Sequence, residues 1–481
     1  MENAAAVLGA PTMKILLIKA ARLKSSPSRR HDGVMPPLGL LYLAAALKKA
    51  GHAEVSLLHI ALEGLDQAGL ELEIARRRPD VVGISAMTSE AVSMHAAAAA
   101  AKKAGVRLVV AGGAHPTAYV AECLGDANID AVVRNEGELT FPELLAAHER
   151  KAGFGDVKGV SFRRGDGIVN NPPREFIEDL DSLPMPAWDL AEMDRYREFV
   201  PHSPMLYGRR YMSVFTSRGC PFRCTFCHNI FGKRFRAHSP ARVLEELRLL
   251  KEKYGVENIE VADDVFNLDR ARAAAVMRGL INGLPKLSLF FGNGLRAELL
   301  DEELVDLFAK AGVKYVCAAV ETASPRLREQ IKKNADLERL RAAVKLLVKK
   351  RIFVNAFVMM GFPGETLREL LLTARYLWSL PLHSFLLFFC RGYAGAELCG
   401  ALPPEKRIDP KSDNTCFVPY GGCADRPAWQ LLAVKQLTTA VFYLNPARLL
   451  RIFRDLPFGG ARLYWFLFRT MALKFASPGR R

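Results

Sequence analysis

Residues 212–229 read MSVFTSRGCPFRCTFCHN, a strand pattern that runs directly into a loop with three cysteines. The β-branched and aromatic residues at 212–216 predict the strand. Three residues separate Cys220 from Cys224, and two separate Cys224 from Cys227. This spacing lets three thiolates close on one face of an iron–sulfur cube. Such cubes usually have four cysteine ligands, so a compact set of three leaves one iron open to an exchangeable ligand and favours catalysis over electron transfer.

Three other roles for these cysteines are less well supported. A zinc site usually takes two separated pairs of ligands, whereas the next thiol along the chain is Cys317. A ferredoxin-like carrier would bring its fourth cysteine close by. A buried structural role is disfavoured because Arg223, Thr225 and His228 make the segment a polar loop.

Length and composition favour an intracellular globular protein. The 481 residues exceed one ordinary core, so two or three domains are expected. The nine cysteines form no evident disulfide framework and fit a reducing compartment. We find no signal-peptide pattern and no apolar run long enough to cross a bilayer. The sequence therefore predicts a cytoplasmic location.

The net charge of +16 calls for an anionic partner, and three classes are open. Nucleic acid is one class, an anionic cofactor or substrate is a second, and the acidic surface of a membrane is a third. Nucleic acid is the least favoured, because the sequence carries none of the nucleic-acid-binding motifs that we looked for.

The pattern from residue 13 to residue 150 predicts a doubly wound parallel sheet, preceded by a flexible tail at 1–12. Short apolar strands alternate with helical segments, and we expect these strands at 14–18, 54–58, 81–85, 107–111 and 131–133. Sheets of this class bind ligands beyond the carboxyl ends of their strands. Polar, glycine-bearing loops fall at those ends, at 85–89, 112–117 and 135–138.

A second alternating series predicts a partial (β/α)6 barrel over residues 206–400, after a linker with a hairpin at 151–205. Its strands are expected at 212–216, 259–261, 287–291, 315–320, 353–357 and 384–388. Barrel chemistry belongs at the carboxyl ends of strands, where the cysteine loop, Arg296, Glu321 and the segment 361–366 all fall. Asp263 and Asp264 follow the second strand, and each alone is interpreted as a solvated loop charge or a helix cap.

Residues 401–481 are expected to form a mainly helical C-terminal region. Cys416 and Cys423 flank an aromatic, glycine-bearing loop and are interpreted as plain thiols, with auxiliary cluster ligands as the less favoured alternative. The aromatic and basic segment 462–474 is interpreted either as an interfacial helix at a membrane or as a helix packed on the barrel.

On these residues, the chain resembles the radical S-adenosylmethionine (SAM) enzymes. The resemblance implies that Cys220, Cys224 and Cys227 are the catalytic ligands of a [4Fe–4S] cluster, whose fourth iron binds SAM. An electron from the cluster then cleaves SAM to a 5′-deoxyadenosyl radical, and an external donor of the flavodoxin or ferredoxin type supplies that electron. The resemblance also implies that SAM is bound by Phe226, Arg296, Glu321, Gly361, Pro363 and Gly364.

The N-terminal half is similar to the Rossmann-like cobalamin-binding domain of cobalamin-dependent radical SAM proteins. The similarity rests on the segments 36–40, 82–85, 112–117, 136–138 and 183–188. It implies cobalamin contacts from Leu38, Gly39, Ser85, Thr88, Gly112, Gly113, His115, Glu136, Gly137 and Glu138. The DxHxxG signature of other cobalamin proteins is absent, which implies that no protein histidine lies on cobalt. His115 also has the simpler interpretation of a loop-shaping histidine.

The activity that the resemblance implies is a radical methyltransferase that uses cobalamin as methyl carrier. It would C-methylate an unactivated carbon of a small molecule, with lipid-like substrates included. The alternatives are a radical cyclisation or rearrangement without methyl transfer, and the modification of a macromolecule. A peripheral membrane contact through the helices after residue 427 is a further expectation.

Overall fold

The structure, a computed structural model, describes residues 13–21, 23, 34–199, 201–284, 286–410, 416–417, 419 and 422–458. The predicted tail at 1–12 and the predicted segment at 462–474 lie outside the described residues. The chain divides into two units. The first holds residues 37–177 and 182–192 together with the described residues from 13 to 23, and the second holds most of the chain from Met193 onward.

A seven-stranded sheet organises the first unit. Its strands are β1 Ile15–Lys19, β2 Val55–His59, β3 Val81–Ser85, β4 Leu108–Gly112, β5 Ala131–Val133, β6 Val160–Arg164 and β7 Gly167–Asn170. Their order is β2-β1-β3-β4-β5-β6-β7, and the first five are parallel. These five strands are almost continuously apolar because both faces of a parallel sheet are covered.

Helices cover both faces of this sheet. They are α1 Leu38–Lys49, α2 Ile60–Glu63, α3 Gln67–Arg77, α4 Ala91–Lys103, α5 Ala114–Ala118, α6 Val120–Leu124 and α7 Thr140–Glu149. One core lies between the sheet and α3, α4 and α6, and a second lies between the sheet, α1 and α7. The predicted doubly wound sheet is therefore confirmed.

The hairpin predicted within the linker segment continues the first sheet. β6 pairs antiparallel with β5, and β7 pairs antiparallel with β6. A hairpin is a local signal, but its pairing with β5 depends on contacts that are distant in sequence. The domain boundary at residue 150 stays a prediction, whereas the sheet itself extends to Asn170.

A six-stranded parallel sheet organises the second unit. Its strands, with a short antiparallel pair after the first, are β8 Tyr211–Val214, β9 Ser217–Arg218, β10 Arg236–Ala237, β11 Asn258–Val261, β12 Ser288–Leu295, β13 Val313–Glu321, β14 Phe353–Met360 and β15 Ser384–Phe389. The six long strands follow one another in chain order, and β9 pairs with β10. The outer strands β8 and β15 do not pair with each other within the described residues. The sheet is thus the open, partial barrel that the sequence predicts.

Helices alternate with these strands and continue after them. They are α8 Met193–Tyr196, α9 Pro240–Tyr254, α10 Arg270–Gly283, α11 Glu302–Lys310, α12 Pro325–Gln330, α13 Leu337–Lys349, α14 Leu367–Ser379, α15 Glu397–Ala401, α16 Ala428–Tyr443 and α17 Pro446–Asp455. Ser, Thr or Asp caps start six of them, namely Ser239, Asp269, Asp301, Ser324, Asp336 and Thr366. Each such cap stabilises its helix by about 1 kcal/mol. The residues at each helix start therefore help to determine where the helix begins.

The last two helices are tied to the amino-terminal end of the barrel strands. His383 is fully buried, accepts from the Val354 amide at 2.9 Å and lies 3.1 Å from a carboxylate oxygen of Asp455 in α17. The Arg448 guanidinium donates to the carbonyl oxygens of Trp378 and Leu380. Within the described part of the chain, no helix is both long and apolar enough to cross a membrane.

Candidate active site

The cysteine loop begins where β8 ends, and a buried carboxylate holds that junction. Asp263, which follows β11, accepts from the Thr216 amide at 2.6 Å, the Thr216 hydroxyl at 2.5 Å and the Ser217 hydroxyl at 2.7 Å. Arg272 on α10 donates to the Thr216 carbonyl oxygen at 2.6 Å. Burial raises the pKa of Asp263, and the nearby Arg272 charge opposes this shift.

This geometry corrects the interpretation of Asp263 as a solvated charge or a cap. Its side chain is only 2% exposed, and its hydrogen bonds reach residues that lie far away in sequence. An ionised carboxylate with three donors and a neighbouring cation is an anchor for the strand end. Asp264 is the more exposed of the pair, and its carboxylate lies 3.6 Å from His228.

Gly219 precedes the first cysteine and is required by its surroundings. Its φ angle is +82°, a left-handed conformation that side chains rarely adopt. A Cβ at this position would lie 2.3 Å from the Arg234 carbonyl oxygen and 2.9 Å from that of Phe231. The loop can therefore fold back against the segment before β10 only with glycine here.

Main-chain hydrogen bonds attach the cysteine loop to two later segments. The Thr225 amide donates to the Ile331 carbonyl oxygen at 3.1 Å, and the Leu398 amide donates to the Thr225 carbonyl oxygen at 2.7 Å. Within the loop, the Cys227 amide donates to the Cys224 carbonyl oxygen at 3.1 Å. The three thiols are thus held by the backbone and not by their own packing.

Burial dominates the titration of the three thiols. It raises the pKa of Cys220 and Cys224, and it raises that of Cys227 to about 11. The Lys233 charge lowers the pKa of all three, but the Asp264 charge raises that of Cys220 and Cys227. Lys333 and Arg296 oppose the upward shift at Cys224. A bound metal would supply the positive charge that these partly exposed thiols need to become thiolates.

The three thiols are available as ligands. None of the nine cysteines forms a disulfide, and Cys220, Cys224 and Cys227 are all partly exposed. A cluster is favoured over a single zinc ion by the spacing of the three cysteines along one loop.

Arg296 and Glu321, both predicted to bind SAM, lie beside the cysteine loop. The Arg296 guanidinium stacks 3.8 Å above the Phe222 ring and lies 2.6 Å from the Glu298 carboxylate. Glu321 ends β13 in a left-handed conformation, with φ of +57°. Its carboxylate lies 3.4 Å from the Lys333 ammonium group. Strained residues of this kind cluster at functional sites, and the SAM contacts of both stay predictions.

The loop after β14 lies against the same site and is shaped by a buried glutamate. Glu365 accepts from the Gly361 amide at 2.6 Å and from the Phe362 amide at 3.2 Å. Gly361 and Gly364 have φ angles of +81° and +69°. The Phe362 ring lies 6.1 Å from the ring of Phe226, which brings this loop onto the cysteine loop.

Pro363 and Phe226 complete the predicted SAM-binding set. The Pro363 carbonyl oxygen accepts from the Gln330 amide group at 3.3 Å. Phe226 is partly buried against an apolar cluster that includes Phe362, Cys390 and Cys423. All six predicted SAM residues thus lie on the cysteine loop or on segments after β12, β13 and β14. Their individual contacts with SAM stay predictions.

Replacing Glu365 by glutamine is expected to remove a pH-dependent component of stability. Burial raises the pKa of Glu365 to about 7 from its ordinary value of 4.5. The native state therefore favours the protonated form, so this contribution is fully present below pH 4.5 and is lost as the pH rises through about 7. As the pH rises from 4.5 to about 7, the apparent melting temperature should fall more for the native protein than for Glu365→Gln. Parallel curves for the two proteins would contradict the prediction.

In the first unit, the order of the parallel strands points to one ligand-binding edge. In the order β2-β1-β3-β4-β5, β2 lies on one side of β1, whereas β3 and the later strands lie on the other side. Sheets of this class bind ligands beyond the carboxyl ends of the two strands where the order switches, here β1 and β3. Lys19 at the end of β1 forms an ion pair with Glu90 beyond β3. Glu90 also accepts from the Met87 amide at 2.7 Å. No sequence motif indicates this ion pair between Lys19 and Glu90.

The predicted cobalamin residues divide into accessible and buried groups. The accessible or partly accessible ones lie on loops and helix starts around this edge, namely Gly39, Ser85, Thr88, Gly112, Gly113 and Gly137. The buried ones are Leu38, His115, Glu136 and Glu138. Glu136 accepts from the Ile177 amide at 2.8 Å, which fixes the loop after β5. An edge of glycines and small polar residues fits a broad ligand, and the individual contacts stay predictions.

His115 is engaged inside the first unit. It is 0% exposed, its ring stacks on Tyr119 at 4.8 Å, and its Nε2 lies 3.1 Å from a Glu122 carboxylate oxygen. These contacts favour the loop-shaping interpretation over a place on cobalt. The departure from the DxHxxG signature is consistent with this arrangement.

Gly113→Ala is expected to weaken cobalamin binding by about tenfold, because a Cβ would displace the predicted cobalamin contact Ser85 and a side chain in this glycine-only backbone region costs about 1–3 kcal/mol. Gly113 has φ of +92°, and a Cβ would lie 2.9 Å from the Ser85 hydroxyl. Equilibrium dialysis with hydroxocobalamin measures the effect. Gly167→Ala is the control, because the nearest atom to its Cβ is 3.8 Å away. Unchanged affinity in Gly113→Ala would refute this role of the loop.

Comparison with known proteins supports both the radical SAM interpretation of the second unit and the cobalamin-binding interpretation of the first unit. The radical SAM superfamily model matches residues 214–377, and the B12 binding domain model matches residues 30–145. An uncharacterized methyltransferase of Pyrococcus horikoshii is 34% identical over 395 residues, which cover 80% of this chain and 82% of that protein. The cytidylyl-2-hydroxyethylphosphonate methyltransferase of Streptomyces wedmorensis is 30% identical over 453 residues, with 83% of both chains covered. The hopanoid C-3 methylase of Methylococcus capsulatus is 28% identical over 312 residues, 63% of this chain and 56% of that protein.

A solved structure shares the fold. The radical SAM methyltransferase TsrM from Kitasatospora setae, with cobalamin and a [4Fe–4S] cluster bound, superposes with a TM-score of 0.66. The match covers 85% of this chain and 79% of that chain at 19% identity. The matched family models, the methyltransferase relatives and the three-cysteine loop agree. The chain therefore belongs to the cobalamin-dependent radical SAM methyltransferase family, whose cofactors are a [4Fe–4S] cluster, SAM and cobalamin.

Proposed function

We propose that this enzyme C-methylates an unactivated carbon of a small molecule. The observation that carries the proposal is the pairing, in one chain, of a three-cysteine loop on the first barrel strand with a sheet of cobalamin-binding order. The named methyltransferase relatives support methyl transfer as the outcome. Together the cofactors exchange a C–H bond for a C–CH3 bond, consuming two SAM and two electrons and releasing 5′-deoxyadenosine, methionine and S-adenosylhomocysteine.

The chain's own residues bind and position these groups. Cys220, Cys224 and Cys227 hold three irons, and the Lys233 charge offsets the thiolate charges. Phe226, Arg296, Glu321, Gly361, Pro363 and Gly364 are proposed to hold SAM. The loops after β3, β4 and β5 are proposed to hold cobalamin. An external flavodoxin- or ferredoxin-type protein is proposed to supply the electrons.

The substrate class is supported by relatives of different chemistry. One methyltransferase relative is named for a cytidylyl phosphonate, and another relative, a methylase, is named for a hopanoid. The high positive charge of the chain fits anionic substrates as well as anionic cofactors. We favour a small molecule over a macromolecule, because no nucleic-acid-binding motif accompanies the charge.

One reconstitution tests the proposed reaction. The full chain is loaded anaerobically with iron, sulfide and cobalamin and supplied with a reductant and SAM labelled on its methyl group. Each candidate substrate is then added separately: a hopanoid and a cytidylyl phosphonate. The expected products are 5′-deoxyadenosine, S-adenosylhomocysteine and a substrate that carries the label. A cyclised or rearranged product without label would overturn methyl transfer in favour of the alternative reaction.

We also propose a peripheral membrane contact through α16 and α17. Large apolar side chains lie exposed on and between these helices, including Trp429, Leu444, Leu450 and Phe453. Arg451 is partly exposed and Arg454 is exposed on α17, and such cations beside apolar side chains suit an anionic lipid surface. Such a contact would place the enzyme near a lipid-like substrate.

Flotation with vesicles of phosphatidylglycerol and phosphatidylcholine tests this contact. The native chain is expected to float, and Leu450→Asp is expected to reduce flotation. Leu72→Asp on α3 is the matched control, because Leu72 is 71% exposed and Leu450 is 72% exposed. Absence of flotation, or equal flotation of both variants, would refute the contact.

A further inference from the structure

A cluster of two histidines and two carboxylates lies in the first unit, where the proposed chemistry does not use it. His95 comes from α4, His115 from α5 and Glu122 from α6, and Asp126 follows α6 directly. One ligand atom from each of His95, His115 and Glu122 lies within 4.8 Å of the others. Among the described residues, no other three such side chains come as close.

The contacts within the cluster place one carboxylate between two imidazoles. Glu122 Oε1 lies 2.9 Å from Nε2 of His95, and Glu122 Oε2 lies 3.1 Å from Nε2 of His115. The second ring nitrogen of His95, Nδ1, lies 2.7 Å from an Asp126 carboxylate oxygen. The two Nε2 atoms and the Glu122 oxygens therefore face one small volume.

His115 depends on Glu122 for its polar contact. The His115 ring is 0% exposed, and its Nδ1 is buried without a hydrogen-bond partner. Its other ring nitrogen faces the carboxylate that also contacts His95. Two histidines that meet one carboxylate in this way resemble the ligand set of a metal ion.

A divalent cation would give each group a role that is familiar from metal sites. Two imidazoles and one glutamate form a His2Glu ligand set, which leaves a fourth position for water. A ligating histidine usually donates its other N–H to a carboxylate, and Asp126 is placed to accept from His95 in this way. Imidazole donors favour zinc and neighbouring transition metals over magnesium or calcium.

We propose that His95, His115 and Glu122 bind one divalent transition-metal ion of the zinc type, with Asp126 orienting His95. The ion would join α4 to α5 and α6, directly behind the glycine loop Gly112–Gly113. Its role would be structural, because it would fix the helix that carries His115 at the end of β4. The ion would support the loop after β4 without taking part in the proposed methyl transfer.

Zinc binding by the full chain tests the proposal. The [4Fe–4S] cluster is first reconstituted anaerobically, so that the cluster cysteines are occupied. The protein is then dialysed against buffered zinc sulfate, and zinc is measured by mass spectrometry and by X-ray absorption at the zinc edge. We expect about one zinc per chain, with nitrogen and oxygen donors at about 2.0–2.2 Å. Scattering from imidazole rings should be present.

Variants connect the zinc to these side chains. His95→Ala and His115→Ala are expected to abolish zinc retention, and Asp126→Asn is expected to weaken it by about 10–100-fold. His148→Ala is the matched control, because His148 is also a partly buried helical histidine of the first unit. Glu122→Gln retains side-chain volume, so its loss of zinc would report ligation and not misfolding.

Three results would overturn the site. They are a chain that retains no zinc, zinc retention that is unaffected by the histidine and Glu122 variants, and a sulfur shell at about 2.3 Å in place of the nitrogen and oxygen shell. Circular dichroism of each variant confirms folding before zinc is measured. Zinc content and ligand type are measured without turnover. These measurements therefore test the zinc site even if the reconstituted enzyme transfers no methyl group.

Discussion

Alanine in place of Cys220, Cys224 or Cys227 is expected to abolish SAM cleavage while leaving cobalamin binding largely intact. Each thiol is proposed to hold one iron, so the loss of one removes a ligand that the remaining described cysteines cannot replace. Cys390 and Cys423, which belong to the apolar cluster beside Phe226, hydrogen-bond to each other instead. The cobalamin-binding edge belongs to the first unit, whose sheet and cores contain none of the three cysteines.

Iron content and product formation measure this result. Each variant should retain substoichiometric iron after reconstitution and form 5′-deoxyadenosine only at the background level. Cys399→Ala is the control, because this cysteine lies on α15 outside the loop. Full SAM cleavage by any one of the three variants would contradict the assignment of that cysteine.

Asparagine in place of Asp263 is expected to destabilise the barrel and to lower cluster retention. The substitution removes the negative charge opposite Arg272, and breaking a buried charge interaction costs about 3–5 kcal/mol. It also replaces one acceptor oxygen by an amide donor that faces the Thr216 or Ser217 hydroxyl. The end of β8 would then lose the anchor that directs the chain into Gly219 and the cysteines.

Denaturant unfolding and iron content separate the two effects. The free energy of unfolding of the second unit should fall, and the variant should retain less iron at temperatures where it is still folded. Asp306→Asn is the matched control, because this aspartate lies on α11 and forms a surface ion pair with Lys350. Equal iron content and stability in Asp263→Asn and the native chain would refute the anchoring role.

Much of the fold could be predicted because its signals are local. The strands of both sheets are short apolar or β-branched runs, and β3 is found at the predicted residues 81–85. The cysteine spacing is equally local, and it marks the carboxyl end of the first barrel strand. Strand order in the barrel follows chain order, so alternation alone was sufficient to predict the open barrel.

Side-chain partnerships distant in sequence could not be predicted. Asp263 is 47 residues from Thr216, and a lone Asp-Asp pair after a strand is consistent with surface charge as well as with burial. His95 lies in an alanine-rich helix, 27 residues before Glu122, and no motif joins them. The Lys333–Glu321 ion pair depends on the turn after α12, whose path requires tertiary contacts.

The main-chain attachment of the cysteine loop has a consequence for divergence within the family. The contacts from Thr225 to Ile331 and Leu398 use amide and carbonyl groups that every residue except proline supplies in full. Substitutions at 331 and 398 can therefore accumulate, provided that they stay apolar, without loosening the loop. The segments around α12 and α15 can therefore change in sequence while the position of the three thiols is kept.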